Sequence, residues 1–130
     1  MYTIDEIKKL RTEIRVYGLS IPSGFEGATD EELQRVYNGI GPEAWCPLFR
    51  SAATWLLRFF DAVALIHDYE YSLKEKSYAR FTMANIRFAW NAFRSAVLQI
   101  PGQQGAKVAC CGFLLALLCQ IFGYTGYCSV

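Results

Sequence analysis

The chain carries one histidine, His67, within the run "DAVALIHDYEY" at 61–71, which also holds Asp68 and Tyr71. An imidazole with a pKa near neutrality serves as general base toward water if one group fixes its tautomer and another stabilises the developing oxyanion. Upstream, "YNGIGP" at 37–42 places glycines at 39 and 41. Such alternation lets a loop curl until successive carbonyls point at one centre, and a centre of about six to eight oxygen donors suits calcium. Each part also has a plainer meaning. A lone histidine on an apolar helix is commonly a packed core residue, "NGIGP" satisfies a helix C-cap and turn, and Asp68 suits a solvated helix face.

The elements that must position these residues are helical. Strand-like alternation is nearly absent and apolar spacing of three and four recurs, so the chain reads as all-α. Thr3 and Glu6 form a capping box, and Ile4, Ile7, Leu10, Ile14 and Tyr17 make one stripe that ends at Gly18. "LSIPSGFEGA" is an irregular connection, after which Thr29 and Glu32 repeat the box and start a short helix ending near Tyr37. From Pro47 the pattern runs helically past Tyr71, with a break before Asp61 allowed by the sequence. Phe60, Val63, Ala64, His67 and Tyr71 share one stripe of it, and Asp68 is rotated from His67 by about 100°. A further helix is expected over about 77–98, a loop at "PGQQG" (101–105), and an apolar helix over 106–124.

With 130 residues, 53% of them hydrophobic, the chain fits one domain. Residues 1–28 supply an N-terminal helix and connection, 29–98 a core, and 106–124 the apolar C-terminal helix. The 13 basic and 12 acidic residues, taken as scattered, leave a net charge of +1 and no electrostatic footprint for nucleic acid. Five cysteines, an odd number without metal-ligand spacing, are expected as reduced thiols. "MYTIDEIKKL" lacks the apolar core of a secretory leader. A cytoplasmic or membrane-associated location is expected, with non-classical release as the alternative.

The pattern D-x-x-A-x-x-H-D-x-x-Y resembles the active-site helix of the secreted phospholipase A2 superfamily, whose commonest form is D-x-C-C-x-x-H-D-x-C-Y and whose viral capsid members lack those cysteines. "YNGIG" resembles the Y-x-G-x-G calcium loop of the same family, in the same order along the chain. The similarity covers about 37–88. It implies a phospholipase A2-like fold in which two long antiparallel helices carry the site, preceded by a glycine-rich calcium loop. It also implies calcium held by the carbonyls of Tyr37, Gly39 and Gly41 and the carboxylate of Asp68. His67 would then activate water against a phospholipid ester, with the Gly39 N–H helping at the oxyanion. Tyr71 and the residue in the family's A-D-x-x-F position would orient the base.

That position falls in "ANIRF", where Asn85 replaces the aspartate. An asparagine can accept the second imidazole N–H but cannot stabilise an imidazolium by charge, and in a serine-protease triad the same exchange costs about four orders of magnitude. The interval from Gly41 to His67 is also longer than in many relatives. Val63, Ala64 and Glu70 stand at the family's common cysteine positions, so packing rather than disulfides must join the long helices.

The apolar end, 108–124, has Gln120 as its single strongly polar residue. It suits a buried core helix, or an interfacial or membrane-embedded one. Trp45, Phe49, Trp55, Phe59 and Phe60 are candidates for an apolar rim around the site. Two functional classes therefore compete. One is a calcium-dependent phospholipid esterase; the other is a lipid-binding, membrane-binding or structural protein, of phage or mobile-element type, that keeps the fold with little or no turnover.

Overall fold

The computed structural model describes residues 2–37 and 47–129, and the side chains of these except 47–58 and 129. Among the described residues there are six helices and no strand: α1 (Ile4–Tyr17), α2 (Asp30–Val36), α3 (Pro47–Ser72), α4 (Tyr78–Gln99), α5 (Gly102–Phe122) and α6 (Tyr124–Ser129). Both capping boxes form. Glu6 N donates to Thr3 Oγ1 while Thr3 N donates to Glu6 Oε2, and Thr29 and Glu32 do the same for α2. Gly18 ends α1 in the left-handed conformation, at φ 60°.

The expected break in α3 falls at Phe60, whose φ of −122° and ψ of 15° leave the helical range. Beside this kink the carbonyl of Phe59 accepts from Ser95 Oγ at 3.1 Å and from Gln99 Nε2 at 3.0 Å. A backbone group at the bend is thus taken up by α4. Phe59 pairs with the end of α4, His67 with its middle and Tyr71 with its beginning, so the two long helices run antiparallel. From Ala62 to Ile66 every side chain is buried. The apolar residues of α3 therefore form more than one stripe, because α1, α2, α4 and α5 all pack against it. Phe60 is fully buried in this core, which removes it from an apolar rim around the site; Trp45 and the side chains of Phe49 and Trp55 lie outside the described residues.

The boundary at "PGQQG" also differs from expectation. Pro101 is the N-cap and α5 begins at Gly102, so most of the expected loop is helix. Its glycines serve the tight turn from α4: Gly102 has φ 73°, and a Cβ at Gly105 would collide with the Ile100 carbonyl oxygen. Further along, a Cβ on Gly112 would stand 2.6 Å from Ala92 Cβ and 3.0 Å from Phe60 Cζ. The α4–α5 hairpin is close because Gly105, Ala109, Gly112 and Ala116 turn small groups inward. Instead of being buried all round, α5 keeps Val108 and Leu115 inside and shows Phe113, Leu114, Leu117, Ile121 and Phe122 to the outside. The short α6 goes beyond the expected end near Tyr124 and seats a buried Tyr127 beside Tyr71 and Phe81.

Candidate active site

Helix α3 delivers His67 and Tyr71 one turn apart, and α4 brings Asn85 against both. His67 Nε2 lies 2.9 Å from Asn85 Oδ1, and the Tyr71 hydroxyl donates to the same oxygen at 2.9 Å. Tyr71 also lies against the imidazole at a ring separation of 4.1 Å, and Phe88 meets it edge-on at 5.1 Å. Asn85 Nδ2 donates to Gln120 Oε1 at 2.8 Å. Gln120 Nε2 in turn donates to Tyr78 Oη at 3.1 Å and Thr82 Oγ1 at 3.0 Å.

The tautomer follows from the amide orientation in which Asn85 Oδ1 faces Tyr71 and His67 and Nδ2 faces Gln120. An oxygen that accepts from Tyr71 also accepts from His67, so the histidine proton sits on Nε2. Nδ1 keeps its lone pair and is the nitrogen able to take a proton. The imidazole is buried, and burial lowers its pKa from 6.5 to about 4, against the smaller opposing effect of Asn85. It is neutral at physiological pH. Asn85 supplies orientation without the charge that would hold an imidazolium.

Gln120, the lone polar residue of the apolar segment, completes the shell of Asn85 from α5. Its isolation among aliphatic residues was the available signal for that role. Two further residues were not singled out as site members. Asp61 Oδ1 accepts from the hydroxyls of Tyr37 at 2.6 Å and Tyr2 at 3.0 Å, and the two tyrosine rings stack at 4.4 Å. Burial, followed by the hydrogen bond to Asp61, raises the Tyr37 pKa. These contacts join the N-terminus, the end of α2 and the start of the His67 segment.

Of the expected metal donors, Gly39 and Gly41 lie outside the described residues. Tyr37 is the C-cap of α2, with φ −82° and ψ 104°. Asp68 is half-buried beside His67. Its charge is near enough to contribute, after burial, to raising the Tyr71 hydroxyl and to pushing the Cys119 thiol up to about 11. The expected set, three carbonyls and one carboxylate, would be all oxygen, the donor type that calcium takes. Among the described residues no group of three or more His, Cys, Asp or Glu side chains gathers as a metal site. The four described cysteines are free.

One turn from His67, Glu70 pairs with Arg87 at 2.7 Å. Its buried Oε1 has no hydrogen-bond partner among the described residues, and burial raises its pKa. Searches against family models, curated proteins and solved structures found no match to this chain.

Proposed function

We propose that the chain is a calcium-dependent phospholipid ester hydrolase of phospholipase A2-like type. The observation that supports this most is the shared Asn85 oxygen, which accepts from His67 and Tyr71 and leaves the imidazole Nδ1 as a proton acceptor. His67 is the general base; Tyr71 and Asn85 are positioning residues, with Gln120 fixing the amide from behind. Water held at Nδ1 loses its proton as its oxygen attacks the ester carbonyl. The same proton, carried on the imidazole, passes to the departing alkoxide. Phe88 and Tyr71 pack against the ring and restrict its rotation.

In this reading Tyr37, Gly39, Gly41 and Asp68 hold calcium, which when bound supplies Lewis-acid polarisation of the ester carbonyl. The Gly39 N–H is the accompanying oxyanion donor.

Asn85 specifically favours a second reading, a lipid-binding or structural protein with weak or no turnover. A neutral amide and a buried ring both disfavour the imidazolium that forms in each catalytic cycle.

The deciding experiment is fatty-acid release from mixed phospholipid micelles, with calcium or with chelator, beside His67→Ala and Asp68→Ala. Hydrolysis that needs calcium and disappears in both variants supports the esterase. Equal background in all three proteins removes it and leaves the second reading.

A further inference from the structure

The near-neutral total charge hides a segregation, and the expectation of scattered charges is corrected by it. All 12 carboxylate side chains precede residue 76, while Lys76, Arg80, Arg87, Arg94 and Lys107 follow Glu75 with no acidic side chain among or after them. Helices α4, α5 and α6 are therefore free of acidic residues. The same hairpin exposes large apolar side chains. On α4, Ile86, Trp90 and Phe93 recur at spacings of four and three; on α5, Phe113, Leu117 and Ile121 recur at four. All six are between 46% and 61% exposed.

Both stripes lie on the outer side of the hairpin. Phe88 of α4 faces His67 of α3, and Gly112 of α5 faces Phe60. At about 100° per residue the exposed stripes lie roughly opposite these two positions. Arg94 and Lys107 flank the turn at Pro101 and are exposed; Arg94 Nε donates to the Tyr17 carbonyl at 2.6 Å, and neither residue pairs with a carboxylate among the described residues.

We infer that the outer face of the α4–α5 hairpin docks in the plane of an anionic lipid bilayer. The apolar stripes would enter the headgroup boundary, with Arg94 and Lys107 at the level of the lipid phosphates. This deepens the lipid reading above and rests on it for the choice of partner. Charge favours the bilayer over a second copy of the chain, because self-association would bring two acid-free, basic faces together. Helix α5 is long and apolar enough to cross a membrane, but its inner side is packed on Ala92 and Phe60, and α4 carries three arginines. Those contacts favour lying on the surface over spanning it.

The test is co-sedimentation of the full chain, in chelator so that turnover plays no part, with vesicles of phosphatidylcholine alone or containing about one-third phosphatidylglycerol. Binding should be at least about tenfold tighter to the anionic vesicles and should weaken with added salt. Trp90→Asp with Leu117→Asp should abolish it, and Val16→Asp, an exposed apolar position on α1, should leave it unchanged. Arg94→Gln with Lys107→Glu, which keeps the apolar stripes and an amide donor for the Tyr17 carbonyl, should weaken it by at least about tenfold. This second pair decides the matter if the first does not fold.

Absence of binding overturns the inference, as does binding that ignores both variant pairs. A dimer dissolved by the same substitutions would assign the face to a second copy instead. Binding by the parent chain without calcium-dependent hydrolysis removes the esterase alone, and hydrolysis of micellar lipid without vesicle binding removes the docking face alone.

Discussion

Replacing His67 by glutamine should flatten the acid limb of the stability curve. In the folded chain burial holds the imidazole pKa at about 4, against an ordinary value of 6.5. Above pH 6.5 the ring is neutral in both states. Between 6.5 and about 4 only the unfolded chain takes up the proton, so stability is lost as the pH falls through that window. A shift of this size corresponds to about 3 kcal/mol in full, at about 1.4 kcal/mol per unit, and about 2 kcal/mol of it should disappear between pH 7 and pH 5. Glu70, whose pKa is raised by burial, contributes with the opposite sign. It is present in both proteins, so subtracting the variant's curve removes it.

The assay is urea unfolding of the parent and His67→Gln at half-unit pH steps. The glutamine amide can still donate to Asn85 Oδ1, so its overall cost is separable from its pH slope. Because the chain has a single histidine, its ring-proton NMR resonance reports the folded pKa directly. Parallel pH slopes for the two proteins, or an NMR midpoint near 6.5, would refute the argument that burial sets the charge of this ring.

The remaining predictions concern the partners of that ring and the packing behind it. Asn85→Asp supplies the missing charge and should raise the folded His67 pKa by about 1–2 units on NMR titration. If the esterase reading is right, fatty-acid release should rise about 10- to 100-fold with it; an unmoved midpoint would refute direct contact. Gly112→Leu forces a side chain into the space of Ala92 Cβ and Phe60 Cζ and should cost about 1–3 kcal/mol in urea unfolding. An unchanged midpoint would contradict the close α4–α5 approach. Tyr37→Phe leaves Asp61 without its 2.6 Å donor and should cost about 1–3 kcal/mol. Tyr2→Phe, at the longer of the two bonds, should cost less; the reverse order would mean that Tyr2 is the main support.

Much of the site was legible in the sequence because local rules write it there. Helical spacing put His67 and Tyr71 on one face of α3, and the resemblance carried Asn85 to the next helix, where the structure brings its oxygen to both. The plain core-residue meaning of His67 is true in one respect, since the ring is buried. That burial sets its pKa, and no pattern within eleven residues announces it. Gln120 was visible only as an oddity, because its partner Asn85 is 35 positions away and the pairing depends on how α5 lies against α4. Asp61 matched a motif letter without a stated task until Tyr2 and Tyr37 arrived from another part of the chain.

The sequence by itself determined the helices and most of their limits, since capping boxes, Gly18 and apolar periodicity act over a few residues. It also determined that all acidic side chains precede residue 76. Only the tertiary structure decided which apolar residues are core and which are surface. The small residues of α5 can approach α4 closely, and doing so turns Phe113, Leu117 and Ile121 outward. Hydrophobicity alone would have hidden those large residues. The geometry of two helices in close contact puts the small ones inside, because backbone proximity gains more packing than a bulky residue held at arm's length.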